Sequence, residues 1–405
     1  MKIIELTKQQ FNAYSYHSPI SSIYQTSLYG ELMATQGYQD YYIGLVDEVG
    51  NCHAASLILT RKFFGRYKYA YVPRGFLLDY RNKELVETFL TLLKPTMKKL
   101  KVAYIRIDPP VLYKPVNAYA NDIYNNLKEL GFTHRGFNQF FENLIPRTIM
   151  VTSLDNPQED LFRHFNKETK NKIRKANRNG LSILKGTKDD IELIYNFGKA
   201  PYVKPLNYYQ QMYDLLNPKN MMDVYLVKLI PNIYLQNNRS LYEEEYKYNQ
   251  KLTTMLYKKA RNHKIVNKKM ASDKRLNIYK QEITLATNLM AQYPNGLIIG
   301  GSIVCAYKKE LLFLLEGFNP NLKRFCPNHL SKWAIMRTYS NIGINRFNLN
   351  AISSDLSKEN QFYGLYTFKK GFKSHVEEYL GEFEYITNKF AIFLYKIKLK
   401  LKKWF

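Results

Sequence analysis

The sequence predicts an α/β (α+β) fold with two mixed halves and an inserted helical hairpin. In residues 1–150, strand-like apolar runs alternate with segments of helical periodicity. Residues 151–239 and 294–386 show the same mixture, which suggests a duplicated architecture, although no strong sequence repeat supports it. With 405 residues, 45 % of them hydrophobic, the chain is long enough for two or three domains with sizeable cores.

The first half is predicted to contain four strands and two helices. Strands are expected at YYIGLV and CHAASLILT, joined by the turn DEVGN, and at YKYAYV and VAYIRID. Helical spacing predicts helices over KELVETFLTLLKPTMKKL and NDIYNNLKELGF, with Gly131 as the C-terminal cap of the second.

The second half has a similar pattern. Helices are predicted at DDIELIYNFGKA, NYYQQMYDLL and HLSKWAIMRTYSNIG, the last ending at Gly343. GLIIGGSIVCAY and LLFLLEGF form a candidate strand hairpin, and RFNLNAI is a further strand.

The segment of residues 240–293 differs from both halves because it contains neither Gly nor Pro. Apolar residues recur in it at spacings of three and four, at Tyr248, Leu252 and Met255 and again at Leu276, Tyr279, Ile283, Ala286 and Met290. This pattern predicts an antiparallel coiled-coil arm inserted in the second half, and a plain globular helix pair is the alternative.

The chain is strongly basic. Sixty Lys and Arg against 34 Asp and Glu give a formal net charge of +26, which fits partners that carry phosphates or an anionic membrane surface. The alternative is the compositional bias of an AT-rich genome, since Lys, Asn, Tyr and Ile are all abundant. That bias does not explain clustering of the charges.

The cysteines indicate a reduced, cytosolic protein without a structural metal. Cys52, Cys305 and Cys326 are scattered and odd in number. Cys326 and His329 stand close together, but no second ligand pair follows, so we expect no metal. The N-terminus lacks the apolar core of a signal peptide, and no apolar run is long enough to span a membrane.

One cluster of cations lies in the stretch FRHFNKETKNKIRKANRNG, residues 162–180. As one helix, it places five cations on one side, which we call the basic ridge: Arg163, Lys167, Lys170, Arg174 and Arg178. Nearly opposite lies an apolar stripe, formed by Phe162, Phe165, Thr169, Ile173 and Ala176. Aligned cations repel one another unless an anion joins them, so the ridge predicts phosphate binding; an ordinary solvated face is the alternative.

The last segment, residues 387–405, is both basic and apolar and ends in Trp404 and Phe405. Its period fits either a helix, with Phe390, Phe393, Leu394, Ile397 and Leu401 on one face, or a strand with alternating lysines. Either form suits adsorption to an anionic bilayer. The alternative is a helix that packs against the body.

Common catalytic signatures are missing from the sequence. There is no Ser-His-Asp order, HExxH, phosphate loop or CoA pyrophosphate loop. In the block ENQFYGLYTFKKGF, Lys369 and Lys370 lie between aromatic residues and before a glycine. A lysine there could hold a developing oxyanion while a ring stacks on a base or sugar, and a surface turn is the alternative.

Taken together, these blocks resemble the Fem family of peptidoglycan-bridge aminoacyltransferases. The resemblance covers nearly the whole chain and lies in the following blocks: QTSLYGELMATQGYQDYYIGLV, YVPRGFLLDY, YIRIDPPV, KIRKANRNG, the helical hairpin, WAIMRTYSNIGINRFNL and GLYTFKKGFKSHVEEYLGEF. It implies two acetyltransferase-like (GNAT) subdomains, with the arm inserted in the second.

The resemblance also implies a reaction. Such enzymes move an amino acid (here Gly, Ala or Ser) from aminoacyl-tRNA to the stem-peptide amine or growing bridge of lipid II or its nucleotide-linked precursor, without a cofactor. Lys369 would then stabilise the tetrahedral intermediate, Phe368 would pack on the terminal adenosine, and Arg74 would contact the acceptor. Lys370 and the basic ridge would bind tRNA or acceptor phosphate. The enzyme is expected in the cytoplasm, peripheral at the inner face of the membrane.

Two departures from the family pattern concern the acceptor. Met33 stands where members often have a lysine near acceptor phosphate, and NAISS at residues 350–354 replaces a Gly-containing GxSG pattern. Two other functions remain as alternatives: a CoA-dependent N-acyltransferase of the same fold, and a non-catalytic tRNA-binding protein. The sequence leaves open the transferred amino acid, the bridge position, a general base and the oligomeric state.

Overall fold

The computed structural model describes residues 1–115, 117–140, 144–155, 158–198, 204–258 and 262–402. Its strands in chain order are β1 Lys2–Glu5, β2 Gln39–Val46, β3 Cys52–Phe64, β4 Tyr67–Val72, β5 Val102–Ile107, β6 Leu112–Lys114, β7 Thr133–His134, β8 Thr148–Ser153, β9 Leu181–Lys185, β10 Met222–Leu229, β11 Leu297–Tyr307, β12 Glu310–Phe318, β13 Arg346–Ala351, β14 His375–Tyr379 and β15 Phe383–Ile386.

Its α-helices are α1 Lys8–His17, α2 Ser27–Thr35, α3 Lys83–Lys99, α4 Ala120–Glu129, α5 Gln158–His164, α6 Lys167–Arg178, α7 Asp190–Phe197, α8 Leu206–Leu216, α9 Pro231–Lys258, α10 His263–Gln292, α11 Pro327–Ser340, α12 Tyr363–Lys370 and α13 Lys389–Lys402. Short 3₁₀ turns occur at Ile23–Gln25, Asn217–Lys219 and Pro320–Phe325.

The strands form two mixed sheets. The first has the order β1-β2-β3-β4-β5-β15-β7 and the second β6-β14-β8-β13-β12-β11-β10-β9. Most neighbours are antiparallel, but β4 and β5 pair parallel, as do β12 and β13. Each sheet has apolar residues on both faces, since helices and the other layers cover them.

Two strands cross between the expected subdomains. β15, near the end of the second half, pairs with β5 and β7 of the first sheet. β6, from the first half, pairs with β14 of the second sheet. The two halves are therefore linked by exchanged strands, and the residue limits drawn from sequence at 150 and 386 stay a prediction.

The mixed α/β class and the order of its main elements are confirmed. All four strands predicted for the first half are present, and Gly131 follows α4 with a φ of +94°. The strand hairpin of the second half is β11–β12, and RFNLNA is β13. Helix α11 ends at Ser340, three residues before the Gly343 that we expected to terminate it.

The basic stretch of residues 162–180 forms two helices, so the prediction of a single helix was wrong. The break lies at Asn166, whose side-chain oxygen accepts a hydrogen bond from the backbone N–H of Thr169 and so caps α6. Arg163 therefore belongs to α5, while the other four ridge cations belong to α6. The apolar stripe is confirmed in α6, where Thr169, Ile173 and Ala176 are buried, and Phe165, in the break between the two helices, is buried as well.

The helical arm is present as α9 and α10, and α9 begins at Pro231 rather than near residue 240. Leu252 and Ala286 are buried as predicted, but Tyr248 and Met255 are 40 % and 51 % exposed. A polar contact occupies part of the seam instead, where the Asn249 side-chain amide donates to the Ser272 hydroxyl at 3.0 Å. Among the described residues, no helix is long and apolar enough to cross a membrane.

Candidate active site

Lys369 lies on the inner side of the short helix α12, only 5 % exposed. Its Nζ donates hydrogen bonds to the backbone carbonyls of Ala351 at 2.7 Å and Asn350 at 3.2 Å. These carbonyls come at the end of β13, where Asn350 adopts a φ of +69° and pairing with β8 is irregular. Asn tolerates this left-handed conformation better than most residues, so the local sequence presents two acceptors to one lysine.

The surroundings of Lys369 disfavour its charged form. Burial is the main cause, and the nearby ammonium of Lys332 adds repulsion, so the pKa of Lys369 falls from 10.5 to about 7. The carboxylate of Glu316 opposes the shift. Near neutral pH, this side chain can therefore exist as an amine or as an ammonium.

Phe368, the residue before Lys369, packs in an aromatic cluster. Its ring meets His329 edge-on at 4.9 Å between centroids and Phe372 at 5.5 Å. His329 is itself buried, and burial followed by the charges of Lys172 and Lys332 lowers its pKa to about 4. Its imidazole is therefore neutral and serves as a packing surface for Phe368.

Sequence reasoning missed Lys332, which lies at the same site on α11. Its Nζ is 2.5 Å from a carboxylate oxygen of Glu316 and 4.8 Å from the centroid of the Phe368 ring. A signal was available, since Lys332 lies on the helix face that carries the buried residues His329, Ile335, Met336 and Tyr339. A lysine at an apolar position of a helix points to a paired or functional cation.

The N-terminus of α6 meets the end of α12 at Gly371. The backbone N–H of Asn166 donates to the Gly371 carbonyl at 3.0 Å, and a Cβ on Gly371 would lie 2.2 Å from Oγ1 of Thr169. Glycine at this position therefore permits the close approach. The contact brings the first turn of the basic helix next to the helix that carries Lys369.

The contact at Gly371 relates the predicted binding residues of α6 to the helix that carries Lys369. Lys370 follows Lys369 directly, is exposed, and lies over the Tyr366 ring at 5.3 Å. Of the ridge, Lys167, Arg174 and Arg178 are exposed and Lys170 is half-buried. Arg163 is also exposed, and it has an ion pair with Asp160 at 3.4 Å.

A cleft of about 610 Å³ lies beside this region and is lined by residues of both halves of the chain. Asn350, whose carbonyl binds Lys369, lines the cleft, as do Glu310, Arg346 and Glu377. The guanidinium of Arg346 bridges both carboxylates, at 2.5 Å to Glu310 and 2.5 to 2.6 Å to Glu377. The cleft wall is thus a fixed ionic network that presents acceptors and donors to a polar ligand.

Arg74 also lines this cleft, but its guanidinium is already engaged. It is 5 % exposed, pairs with Asp108 at 2.9 Å, donates to the Pro146 carbonyl and lies 3.8 Å from the Tyr379 ring centroid. Burial raises the pKa of Asp108 to about 7, against the opposing effect of Arg74. These contacts hold the cleft wall together, and the contact of Arg74 with an acceptor stays a prediction.

Comparison with known proteins now decides the family. The model of the FemAB family matches residues 6–403. The chain belongs to the FemAB family. The predicted resemblance is therefore confirmed, and the chain is a transferase.

Several curated relatives align along nearly the full chain. "Lipid II:glycine glycyltransferase" of Staphylococcus epidermidis is 26 % identical, covering 100 % of this chain and 97 % of the relative. The protein of the same name from Staphylococcus aureus (strain MRSA252) is 28 % identical, covering 96 % of this chain and 93 % of the relative.

Solved structures confirm the fold. The crystal structure of FemX superposes with a TM-score of 0.77 at 23 % identity, covering 97 % of this chain and 99 % of that one. A tandem GNAT protein from the clavulanic acid biosynthesis pathway gives a TM-score of 0.50 at 9 % identity, covering 96 % and 98 %. The FemAB-family chain therefore has the expected GNAT-like architecture.

Proposed function

We propose that this FemAB-family transferase moves an amino acid from an aminoacyl-tRNA to an amine of lipid II or its nucleotide-linked precursor. The acceptor would be the stem-peptide amine or the end of a growing cross-bridge, and the amino acid Gly, Ala or Ser. The names of the full-length relatives support lipid II as acceptor and peptidoglycan synthesis as the process.

The observation that carries the proposal is that Asn350 both lines the cleft and accepts a hydrogen bond from Lys369 through its backbone carbonyl. A polar acceptor in the cleft would bring its amine to the end of β13, beside the Nζ of Lys369. As ammonium, Lys369 would stabilise the oxyanion that forms when the amine attacks the ester carbonyl. Phe368, fixed by its ring contacts, would pack against the terminal adenosine of the tRNA.

The basic ridge would bind the RNA next to its reactive end. Helix α6 begins at the contact with Gly371 and continues for 12 residues, about 18 Å at 1.5 Å per residue. Its exposed cations therefore extend away from Lys369. The phosphate backbone of a tRNA whose aminoacyl ester lies at Lys369 would follow the same direction. Replacing Lys167, Lys170 and Arg174 together by Gln gives the triple ridge variant, which tests this role.

Helix α13 would hold the enzyme at the inner face of an anionic membrane. On one side, Ala391 is buried and the Tyr395 ring packs on Phe63 at 4.3 Å. On the other side, Phe390 and Phe393 are 62 % and 59 % exposed. One face thus packs on the body, and the other leaves aromatic rings near lysines, which suits the interfacial region of a bilayer. Trp404 and Phe405 lie outside the described residues.

Two other functions make different predictions. A CoA-dependent acyltransferase should bind acetyl-CoA tightly in calorimetry, but the chain lacks the pyrophosphate loop that this would need. A non-catalytic tRNA-binding protein should bind tRNA equally well after Lys369→Ala and should give no transfer in either form.

A reconstituted reaction tests the proposal. Purified protein, lipid II and tRNA charged separately with Gly, Ala or Ser are mixed, and the lipid-linked products are resolved by mass spectrometry. We expect one charged tRNA to give a heavier lipid-linked product, strongly reduced by Lys369→Ala. Absence of product with all three tRNAs, with lipid II and with the nucleotide-linked precursor, would refute the proposed function.

A further inference from the structure

Lys332 is a buried cation that the proposed reaction does not yet use. Its residue exposure is 0 %, although it lies in the middle of the 14-residue helix α11, where lysine side chains usually reach solvent. Burying an ammonium is costly unless it is paired, and here the partner is Glu316 on β12. The side chain of Glu316 is 29 % exposed, so solvent reaches the ion pair through Glu316 and not through Lys332.

The position of Lys332 is fixed by two aromatic rings as well as by its carboxylate. Its Nζ lies 4.2 Å from the ring centroid of Phe313 and 4.8 Å from that of Phe368. Cation–π attraction at such distances is stronger when the cation is shielded from water. Phe368 is thereby held by Lys332 as well as by its contacts with His329 and Phe372.

Lys332 forms an ion pair with Glu316, and the same carboxylate acts on Lys369 only through its charge. Two ammonium groups near one Glu316 would leave a net positive charge in a buried site, which repulsion and desolvation both oppose. Two charged side chains act directly on Lys369: Lys332 of α11 and Glu316 of β12. On the far side of His329 lie two more, Lys172 and Glu168 of α6.

The hydrogen bonds of Lys369 fit a neutral amine. An amine has two N–H donors and one lone pair, and the two carbonyls at the end of β13 accept two hydrogen bonds. An ammonium would carry a third N–H. In the neutral form, the lone pair of Nζ is therefore left to accept a proton from a bound substrate.

We propose that Lys332 is a positioning residue for aminoacyl transfer: its buried ammonium keeps Lys369 neutral before the reaction and holds the ring of Phe368 in place. This inference rests on the proposed function. It adds two points to that function: Lys332 controls the protonation state of Lys369, and Lys369 accepts the proton of the attacking amine.

The proton balance of the step is then complete. The acceptor nitrogen forms a bond to the ester carbonyl carbon, and its proton passes to the Nζ of Lys369. The resulting ammonium faces the oxyanion and stabilises it, because the new negative charge offsets the repulsion from Lys332. When the carbon–oxygen bond to the ribose breaks, the proton passes from Nζ to the leaving ribose oxygen, and Lys369 is neutral again.

The test compares pH profiles of kcat/KM for the aminoacyl-tRNA with saturating acceptor. Lys332→Met removes the neighbouring positive charge and leaves Glu316 to stabilise the ammonium of Lys369. The acidic limb of the profile should then move to higher pH, with a roughly fivefold loss of rate at pH 7 for a one-unit move from a pKa of about 7. Lys332→Arg keeps a cation and should retain the wild-type limb.

Two controls separate charge from folding. Lys323→Met removes an exposed ammonium just before α11 and should leave the limb unchanged. If Lys332→Met does not fold, Lys332→Met with Glu316→Leu replaces the pair by apolar side chains, an exchange that is often neutral for stability. Its limb should also move to higher pH, though less, because Glu316 no longer favours the ammonium.

A second measurement does not need activity. The rate at which acetic anhydride labels Lys369 is followed by peptide mass spectrometry between pH 6 and 10, and it reports the fraction of free amine. This curve should shift to higher pH in Lys332→Met. The inference would be overturned if a folded variant without the Lys332 charge kept both the wild-type labelling curve of Lys369 and the wild-type acidic limb of the kcat/KM profile. A wild-type enzyme that transfers nothing would instead refute the proposed function.

Discussion

Replacing Lys369 by Met should strongly slow transfer and change stability in a pH-dependent way. The folded-state pKa of about 7 lies about 3.5 pH units below the usual 10.5, which corresponds to about 5 kcal/mol of destabilisation at low pH. Met removes this cost, but it leaves the carbonyls of Asn350 and Ala351 without a donor, at about 1–3 kcal/mol each. The two effects nearly offset each other near pH 7.

The pH dependence distinguishes them. Between pH 7 and 10.5, the unfolded wild-type chain binds a proton at Lys369 that the folded chain does not, so wild-type stability rises with pH. The variant has no such group. Its free energy of unfolding relative to wild type should therefore fall by about 1.4 kcal/mol per pH unit between pH 7.5 and 9.5.

Urea unfolding of both proteins at pH 6.5, 7.5, 8.5 and 9.5 measures this difference. Lys370→Met is the matched control, since it removes an exposed ammonium from the same helix and should change stability by less than about 0.5 kcal/mol at every pH. The same Lys369→Met protein should lose a factor of about 10² to 10³ in kcat. A stability difference that does not vary with pH would show that Lys369 is charged in the folded enzyme, and the reasoning would fail.

Three further predictions concern the parts around the site. The triple ridge variant should bind tRNA more weakly, with the slope of log K against log salt reduced by about one per lost phosphate contact; an unchanged slope in filter binding would make the ridge a solvated face. Phe390→Ser with Phe393→Ser should reduce sedimentation with anionic vesicles, whereas Val49→Ser, another exposed apolar residue, should not. Gly371→Ala should lower the free energy of unfolding by about 1–3 kcal/mol, because its Cβ meets the Thr169 hydroxyl, and Thr169→Ala should restore part of the loss; equal losses with and without Thr169→Ala would contradict this contact.

The order of the strands and main helices was predictable because apolar periodicity directly reflects which faces are buried. The exchange of β6 and β15 between the sheets was not, since it depends on contacts between residues more than 200 positions apart. The break between α5 and α6 did leave a signal, because Asn166 is a favoured N-cap residue and Glu168 is an acid in the first turn. The run of cations at helical spacing concealed it.

The site was predictable only in part. Lys369 was found by resemblance to a family, since its local pattern is equally typical of a surface turn. Lys332 was missed because a lysine in a helix is normally taken as solvent-facing, and only the fold brings Glu316 within 2.5 Å of it. In the arm, the contact between the helices at Asn249 and Ser272 is polar, so a search for apolar residues could not find it. The prediction therefore assigned Tyr248 and Met255 to the contact face, although both are exposed.

The most direct test of the central claim is the reconstituted transfer of an amino acid from charged tRNA to lipid II. We predict a lipid-linked product heavier by one Gly, Ala or Ser residue, formed by the wild-type protein and by Lys323→Met and reduced at least a hundredfold by Lys369→Met. No product from the wild-type protein with any of the three charged tRNAs and either acceptor would contradict the account.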